Sequence, residues 1–388
     1  MIGRLPQALQ GSHFGPRLRS SILYQDYHQH VTQPLIVAYL EELGIEIAVG
    51  QVKRILTEGK APFHEEKDSI LRMGLAVSRE VNVDDTAARH RGQNGYCTYI
   101  GNEFFAWFAS TESKSRHNFL NLLRAGHTDY VLNDGAREYM TRQKLPKVPL
   151  RLLAGAHTFV DTKQWEAHLQ GLGITRARHM QIATEGALLG SVLNHEIAPD
   201  LVVLSDDAGQ FNVLHHALCW IHAERTIHTL LPFSAEQRAA VEIVRGQIWE
   251  LYQDLKAYQC APCPRQKVQL QARFDDIFTA KTCFQTLNLA LRRLQQNKAE
   301  LLLVLERPEV PLHNNGSERE IRDYVKKRKI SASTRSEAGR RARDTFVSLK
   351  KTCRKLGLSF WHYLQDRLTH GNTIPPLPHL IRSAAQVP

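Results

Sequence analysis

Two short apolar runs in the second half of the chain constrain its fold most. The first, Leu201–Leu204, is continuous and ends in Asp206 and Asp207, and the second, HALCWIHA, follows after a short break. Continuous runs of this length are typical of strands that are buried on both faces of a parallel sheet. They predict the fourth and fifth strands of an α/β protein, with acidic residues at the carboxyl end of the fourth, where open sheets bind their ligands.

An earlier segment, Val81–Ser110, predicts three further strands in an antiparallel meander. It reads VNVDD, GYCTYIG and EFFAWFA, with breaks that contain glycine and asparagine. Alternation in the first of these stretches places Asp84 on the face opposite Val83, at the end of a strand. The five strands together predict a mixed sheet.

Most of the remaining sequence has helical periodicity. The predicted division is a helical, helix-turn-helix-like region at 1–75, the first part of the α/β core at 76–225 with an insertion at about 126–200, a mostly helical insertion at 226–312, the last part of the core at 313–370, and a mobile tail at 371–388. The three helices of the first region could place the last one in a DNA groove or only pack against a neighbour, and the sequence leaves both open.

The positive charge of the chain is concentrated in one stretch. Of the net charge of +11, the segment from Arg319 to Lys355 contributes +10, through fourteen Lys or Arg and four Asp or Glu. Apolar residues are interleaved with these charges, which predicts a phosphate-binding surface on a folded scaffold. The residues expected to contact nucleic acid are Arg319, Arg322, Lys326, Lys327, Arg328, Lys329, Arg340 and Arg341.

Three groups of carboxylates could together hold divalent metal ions. They are Asp84 with Asp85, Asp206 with Asp207, and Glu318 in the stretch HNNGSERE. Mg²⁺ and Mn²⁺ prefer oxygen ligands, and two such ions can bind the attacking and leaving oxygens of a phosphoryl transfer. Ser317 and Glu320 fit a capping box, which would put Glu318 in the first turn of a helix, with Glu320 as its rival. Each group alone is better explained as a strand end or a helix cap.

The cysteines and the apolar segments exclude several other classes of protein. Six scattered cysteines in a long chain are typical of reduced thiols, and Cys260-Ala-Pro-Cys263 is interpreted as a loop between helices. Cys219 and His222 are interpreted as packing residues and not as half of a metal site. No segment has the apolar length of a membrane span or of a signal peptide, so we expect a cytoplasmic protein.

Three motifs resemble those of the insertion sequence 66 transposases, members of the DDE superfamily. They are VDDTAARH, SDDAGQF followed by CWIHAER, and HNNGSEREIR, and the resemblance extends from about Gly3 to Leu368. It implies a catalytic core like that of ribonuclease H and retroviral integrase. It also implies that Asp84, Asp206 and Glu318 form the catalytic triad, with Asp134 in DYVLNDGAREY as the runner-up for the second position.

The resemblance further implies a function and its partners. We expect metal-dependent cleavage at transposon ends and strand transfer into target DNA, with two Mg²⁺ or Mn²⁺ ions as cofactors. The expected partners are terminal inverted repeats and target DNA, a homo-oligomer formed on the DNA, and accessory proteins of the same element. Alternatives are a noncatalytic or truncated DNA-binding remnant, or a nuclease or resolvase without strand transfer. The chain is expected to lack the additional amino-terminal zinc-binding and coiled-coil region that family members usually carry.

Overall fold

The computed structural model describes residues 13–195, 197–198 and 200–386. In the first half of the chain the elements are α1 (Pro16–Tyr27), α2 (Gln33–Glu42), α3 (Val49–Thr57), α4 (Ala61–Val77), β1 (Glu80–Ala87), β2 (Tyr96–Gly101), β3 (Ala106–Thr111), α5 (Arg116–Leu123), β4 (Tyr130–Leu132), α6 (Asp134–Arg142), α7 (Lys147–Leu152), β5 (His157–Phe159), α8 (Thr162–Gly171) and α9 (Ala177–Asn194). In the second half they are β6 (Val202–Ser205), β7 (His215–Leu218), α10 (Trp220–His228), α11 (Ala235–Cys260), α12 (Pro264–Phe278), α13 (Gln285–Gln296), α14 (Lys298–Leu301), α15 (Asn315–Ser331), α16 (Glu337–Lys355), α17 (Phe360–Thr369) and α18 (Leu377–Ala385).

Five strands form one mixed sheet in the order β3-β2-β1-β6-β7. Strands β2 and β3 are antiparallel, whereas β6 is parallel to both β1 and β7. The predicted mixed five-stranded sheet is therefore confirmed. Strand β1 continues to Ala87, so Asp84 lies inside the strand and not at its end as expected. A separate antiparallel pair, β4 and β5, was not predicted, because three-residue strands are too short to show a period in the sequence.

The chain packs into two compact units, each built from separate segments. The first unit contains the described residues of 1–78, 85–199 and 319–388, and the second unit contains those of 79–84 and 200–318. The division between the units therefore falls inside β1 and inside α15. The division predicted from the sequence follows helical and strand periodicity rather than packing, and it stays a prediction.

In the first unit, α16 lies along β3, which is an edge strand of the sheet. Three backbone N–H groups of β3 donate to side chains of α16: Ser110 to Asp344, Phe108 to Ser348 and Ala106 to Thr352, at 2.7, 2.9 and 3.1 Å. Four residues of a helix span about 6 Å and two residues of a strand span almost the same length, so the two repeats stay in step. The helix therefore covers backbone groups that an edge strand would otherwise offer to another chain.

Helices α1, α2 and α3 lie where three helices were predicted in the first 75 residues. Helix α3 buries Val52, Ile55 and Leu56 and exposes Lys53 and Arg54. This burial pattern supplies a packed face and a charged face, as an amphipathic surface helix requires. Contact of α3 with DNA stays a prediction.

The carboxyl-terminal stretch differs from the predicted mobile tail. Helix α18 follows Pro376 and packs against α4, with Leu377 and Ile381 fully buried. The backbone N–H of Leu377 donates to the carboxylate of Glu66 at 2.9 Å. The prolines in this stretch suggested a flexible tail, but a proline also favours the start of a helix.

The second unit has its own apolar core. Helices α10 to α13 pack around Trp220, Leu251 and Phe274, which are almost completely buried. The indole Nε1 of Trp220 donates to the backbone oxygen of Leu301 at 2.9 Å. All six cysteines are free thiols, as predicted, and Cys260 and Cys263 flank the break between α11 and α12. Within the described ranges, no helix combines the length and the apolar character needed to cross a bilayer.

Candidate active site

In the second unit, Asp84 and Asp206 follow paired residues of the parallel strands β1 and β6. The register pairs Asn82 with Leu204, and each aspartate lies two residues further along its own chain segment. Residues two apart on a strand point to the same face, and neighbouring strands are about 4.8 Å apart. Both aspartates are partly exposed, whereas Val83 beside Asp84 is fully buried. Asp84 therefore lies in β1 and Asp206 directly after β6, each two residues beyond the last pair of the parallel register.

Asn314 ties the start of α15 to the same end of the strands. Its side-chain Nδ2 donates to the backbone oxygen of Val83 at 2.8 Å, and its backbone N–H donates to Sγ of Cys219 at 3.2 Å. Asn314 is only 1% exposed, so these bonds are protected from water. They fix the beginning of the helix next to the residue that precedes Asp84. Glu318 then lies in the first helical turn, where the helix dipole favours an ionised carboxylate.

The predicted capping box at this helix is wrong, although Glu318 keeps its predicted first-turn position. Helix α15 begins at Asn315, and the Ser317 hydroxyl donates to the backbone oxygen of Asn314 at 2.9 Å. Ser317 therefore does not accept a hydrogen bond as a capping residue would. The physical reason is that the anchored Asn314 starts the helix earlier than the Ser-x-x-Glu pattern suggests.

The acidic neighbour of each predicted triad residue is held by cations or amides within its own unit. Asp85 pairs with Lys114, Asp207 with Arg293 and Asn297, and Glu320 with Lys351 and Lys355 at 2.9 and 3.4 Å. These contacts tie loops and helices together and give the three neighbours a structural role. The choice of Asp84, Asp206 and Glu318 as ligands stays a prediction.

The block CWIHAER contributes to the site in a way that the sequence did not reveal. In α10, Nε2 of His222 lies 3.5 Å from Oε1 of Glu318, and Cys219 accepts the hydrogen bond from Asn314. Nδ1 of His222 is buried and has no hydrogen-bond partner in the described part of the chain. Both residues were interpreted as packing residues, but both contact the start of the glutamate helix. The spacing of the motif from Asp206 was the only signal in the sequence.

The turn after β6 orients Asp206, whereas its runner-up lies elsewhere. The backbone N–H of Ala208 donates to Oδ1 of Asp206 at 3.1 Å, which fixes the carboxylate at the end of the strand. Asp134 belongs to the first unit, where it is the first residue of α6. Its side chain is 96% exposed and pairs with Arg137. These contacts give Asp134 the role of a helix-terminal residue.

The predicted nucleic-acid contacts divide into exposed and internal residues of the first unit. The exposed ones are Arg319, Arg322, Lys326, Lys329 and Arg341. Lys327 differs from the prediction: it is 3% exposed and donates to the backbone oxygen and Oδ1 of Asp26 at 2.7 and 2.9 Å. Arg328 donates to Thr86 and Ala87, and Arg340 pairs with Glu337 at 2.8 Å. Sequence periodicity could not separate these three paired residues, of which only Lys327 is buried, from the exposed charge.

Part of the basic stretch is neutralised between α15 and α16. Asp323 contacts Nζ of Lys350 at 2.5 Å, Nζ of Lys351 at 3.6 Å and Nε2 of His30 at 3.2 Å. Burial of Asp323 raises its pKa, but the hydrogen bond with His30 and the charges of the two lysines outweigh burial and hold that pKa well below its usual range. The cluster therefore stabilises helix packing and offers little charge to a partner.

The predicted triad fits the chemistry of a hard divalent cation, because all three side chains offer carboxylate oxygens. Within the described ranges, one set of three ligand side chains has its donor atoms within 4.8 Å of one another, and that set is His127, Asp129 and His195. The three predicted carboxylates are not such a set in this structure.

The fold and the site define a class: a mixed α/β protein with one aspartate in a strand, a second directly after the parallel neighbour of that strand, and a glutamate in the first turn of a helix anchored to the first strand. Residues 202–342 match the model of the Transposase IS66 family. The chain is 44% identical, over 321 residues, to the uncharacterized protein y4jO of Sinorhizobium fredii (strain NBRC 101917 / NGR234), and the match covers 81% of this chain and 100% of that protein. The chain therefore belongs to the IS66 family of transposases, which confirms the resemblance inferred from its motifs.

Proposed function

We propose that this chain is a DDE-type transposase with a ribonuclease-H-like core, which cleaves DNA at transposon ends and joins them to target DNA. The observation that carries the proposal is the parallel pairing of β1 with β6, in which Asp84 and Asp206 each follow the last paired residue by two positions. The sheet order and the anchoring of the Glu318 helix by Asn314 support it. Membership of a transposase family supplies the class of substrate, which is DNA.

In this proposal Asp84, Asp206 and Glu318 would hold two Mg²⁺ or Mn²⁺ ions, which when bound would supply activation of a water or a 3′ hydroxyl and stabilisation of charge on the phosphate. The protein residues around them set the geometry. His222 orients the carboxylate of Glu318, and Asn314 fixes the helix that carries it. The exposed cations of α15 bind phosphates along the DNA, and Lys53 and Arg54 of α3 are candidates for further contacts.

The proposed partners are the terminal inverted repeats, target DNA, further copies of this chain on the DNA and accessory proteins of the same element. The proposed location is the cytoplasm, in association with DNA. Phosphate contacts position a protein on the duplex, whereas base contacts specify the sequence. End recognition therefore requires residues beyond the basic face of α15.

Strand transfer with the end sequences of the element tests the catalytic proposal. In Mg²⁺ or Mn²⁺ we expect Asp84→Asn and Glu318→Gln to lower both cleavage and joining by about two orders of magnitude or more, because residues that act as one unit fail together. The matched control is Asp207→Asn, which removes an exposed ion pair with Arg293 beside the site. That variant should keep activity close to that of the wild type.

The same assay separates the alternatives. Unchanged activity in both Asp84→Asn and Glu318→Gln would refute the triad assignment. Metal-dependent cleavage without joining would support a nuclease or resolvase. DNA binding without cleavage by the wild-type chain would support a noncatalytic remnant.

A further inference from the structure

We infer that the first unit contains a transition-metal site formed by His127, Asp129 and His195. His127 and Asp129 lie between α5 and β4, and His195 follows the last residue of α9. All three residues belong to the first unit, whereas the predicted triad belongs to the second. The inference therefore does not depend on the proposed transposase chemistry.

The three side chains already converge on one point. One donor atom from each lies within 4.8 Å of the donor atoms of the other two. Nε2 of His195 is 2.9 and 3.0 Å from the two carboxylate oxygens of Asp129. The rings of His127 and His195 are stacked, with centroids 3.4 Å apart and an angle of 7° between their planes. A metal ion lies in the plane of an imidazole that binds it, so the exposed ring of His127 must turn out of this stack to share an ion with His195.

Neighbouring residues hold Asp129 in place. The hydroxyl of Ser191 donates to Oδ1 of Asp129 at 2.9 Å, and Nη1 of Arg124 donates to the Asp129 backbone oxygen at 2.8 Å. Hydrogen bonds of this kind orient the ligands of metal sites and tune their basicity. They fix the positions of both the carboxylate and the backbone of Asp129.

The donor set selects the class of metal. Two imidazoles and one carboxylate suit Zn²⁺ and the neighbouring divalent transition metals, whereas Mg²⁺ prefers an environment of oxygens. Three protein ligands leave a further coordination position for water or another small ligand. Both histidines line a cavity of about 350 Å³, which provides room for such a ligand.

The bound metal would connect two parts of the first unit. It would fasten the end of α9 to the segment that leads into β4, in addition to their packing contacts. Binding to the folded state alone stabilises a protein by mass action. Zn²⁺ should therefore raise the midpoint of thermal unfolding of the chain.

A simpler interpretation is that Asp129, His195 and Ser191 form a hydrogen-bonded cluster without a metal. In that cluster His127, the exposed member of the set, contributes only by stacking on His195. The two interpretations differ in what happens when His127 is changed. Only the metal site requires its imidazole for binding an ion.

The test uses the full chain, stripped with a chelator and then titrated with Zn²⁺ or Co²⁺ in a large excess of Mg²⁺, which occupies carboxylate sites. We expect each wild-type chain to bind one more ion than a chain of either variant, His127→Ala or His195→Ala. The Co²⁺ form should show d–d absorption bands that both variants lose. The matched control is His179→Ala, a partly exposed histidine on α9 outside the cluster, which should behave like the wild type.

Equal stoichiometry and equal Co²⁺ spectra in the wild type, His127→Ala and His195→Ala would overturn the inference. Because His127 is exposed, His127→Ala should fold normally even if His195→Ala does not. A rise in the unfolding midpoint with Zn²⁺ in the wild type and in His179→Ala, but not in His127→Ala, supports the site. None of these measurements uses transposition activity, so failure here leaves the proposed function to its own test.

Discussion

At the scale of single residues, the contacts of each side chain distinguish acidic neighbours that the sequence presents as equivalent. Asp207 and Glu320 hold cations on neighbouring helices, whereas Asp206 is oriented by a backbone N–H. The sequence was enough to propose these acidic groups, because strands and a helix start are local features, and their role as one site stays a prediction. It could not choose within each pair, because the choice depends on residues such as Arg293 and Lys351 that are distant along the chain.

His222 gives a prediction at this scale, which rests on the proposed function. Nε2 of His222 lies 3.5 Å from Oε1 of Glu318. Loss of a residue that orients a metal ligand typically lowers activity by 10- to 100-fold, so His222→Ala should lower DNA cleavage by roughly that factor. The Mg²⁺ concentration for half-maximal activity should rise at the same time, and His222→Gln should recover part of the loss. His228→Ala, on the exposed side of the same helix, is the control. A drop in activity without any change in Mg²⁺ dependence would exclude the orienting role.

At the scale of elements, α15 and α16 divide the basic stretch between them. Exposed cations lie on α15, whereas α16 turns Asp344, Ser348 and Thr352 towards the backbone of β3 and buries Lys350. The sequence predicted both helices and their charge. It could not predict that α16 lies on an edge strand, because its polar residues repeat every four positions, as those of an exposed helix face also do.

The ion pairs of Asp323 predict how packing of these helices responds to pH. A carboxyl group with a lowered pKa stabilises the fold above the pKa of the unfolded chain, about 3.9, and loses that contribution as the pH falls through the folded-state pKa. Asp323→Asn should therefore lower the free energy of unfolding most above about pH 5, and the difference from the wild type should shrink below about pH 4. Chemical denaturation of both proteins across this pH range measures the difference in their free energies of unfolding.

A second variant checks the cause of that effect. In a chain that already carries Lys350→Met, Asp323→Asn should lower the free energy of unfolding by a smaller amount, because one of the cations that lowers the Asp323 pKa is gone. If Asp323→Asn lowers the free energy of unfolding equally in both backgrounds, or by an amount that does not change with pH, then Asp323 acts through packing alone.

At the scale of the whole molecule, the mixed sheet was predictable because its strands carry long apolar runs or clear alternation. The two packing units were not predictable, because each is built from separate segments of the chain.

The net charge of the whole molecule overstates the positive charge at its surface. The stretch of +10 includes Lys327, Lys350 and Lys351, which are buried in ion pairs, so the surface available to DNA is smaller than the count implies.

The salt dependence of DNA binding tests this view of the charge. Each cation that contacts a phosphate contributes about 0.9 to the slope of log K against log salt. The double variant Lys326→Ala, Lys329→Ala should therefore reduce the slope by about 2, while Lys163→Ala, an exposed lysine on α8, should leave it unchanged. An unaltered slope in the double variant would exclude α15 as the phosphate-binding face.

The pairing of β1 with β6, Glu80 opposite Val202, has a consequence for how the chain is made. On the ribosome the strand that carries Asp84 emerges well before its parallel partner, and at 5–20 residues per second the delay is on the order of ten seconds. During that interval one side of the strand is open to any other nascent or misfolded strand. Parallel pairing across such a long loop is also intrinsically slow. The yield of folded protein in a cell should therefore depend on chaperones that shield this strand until β6 has been synthesised.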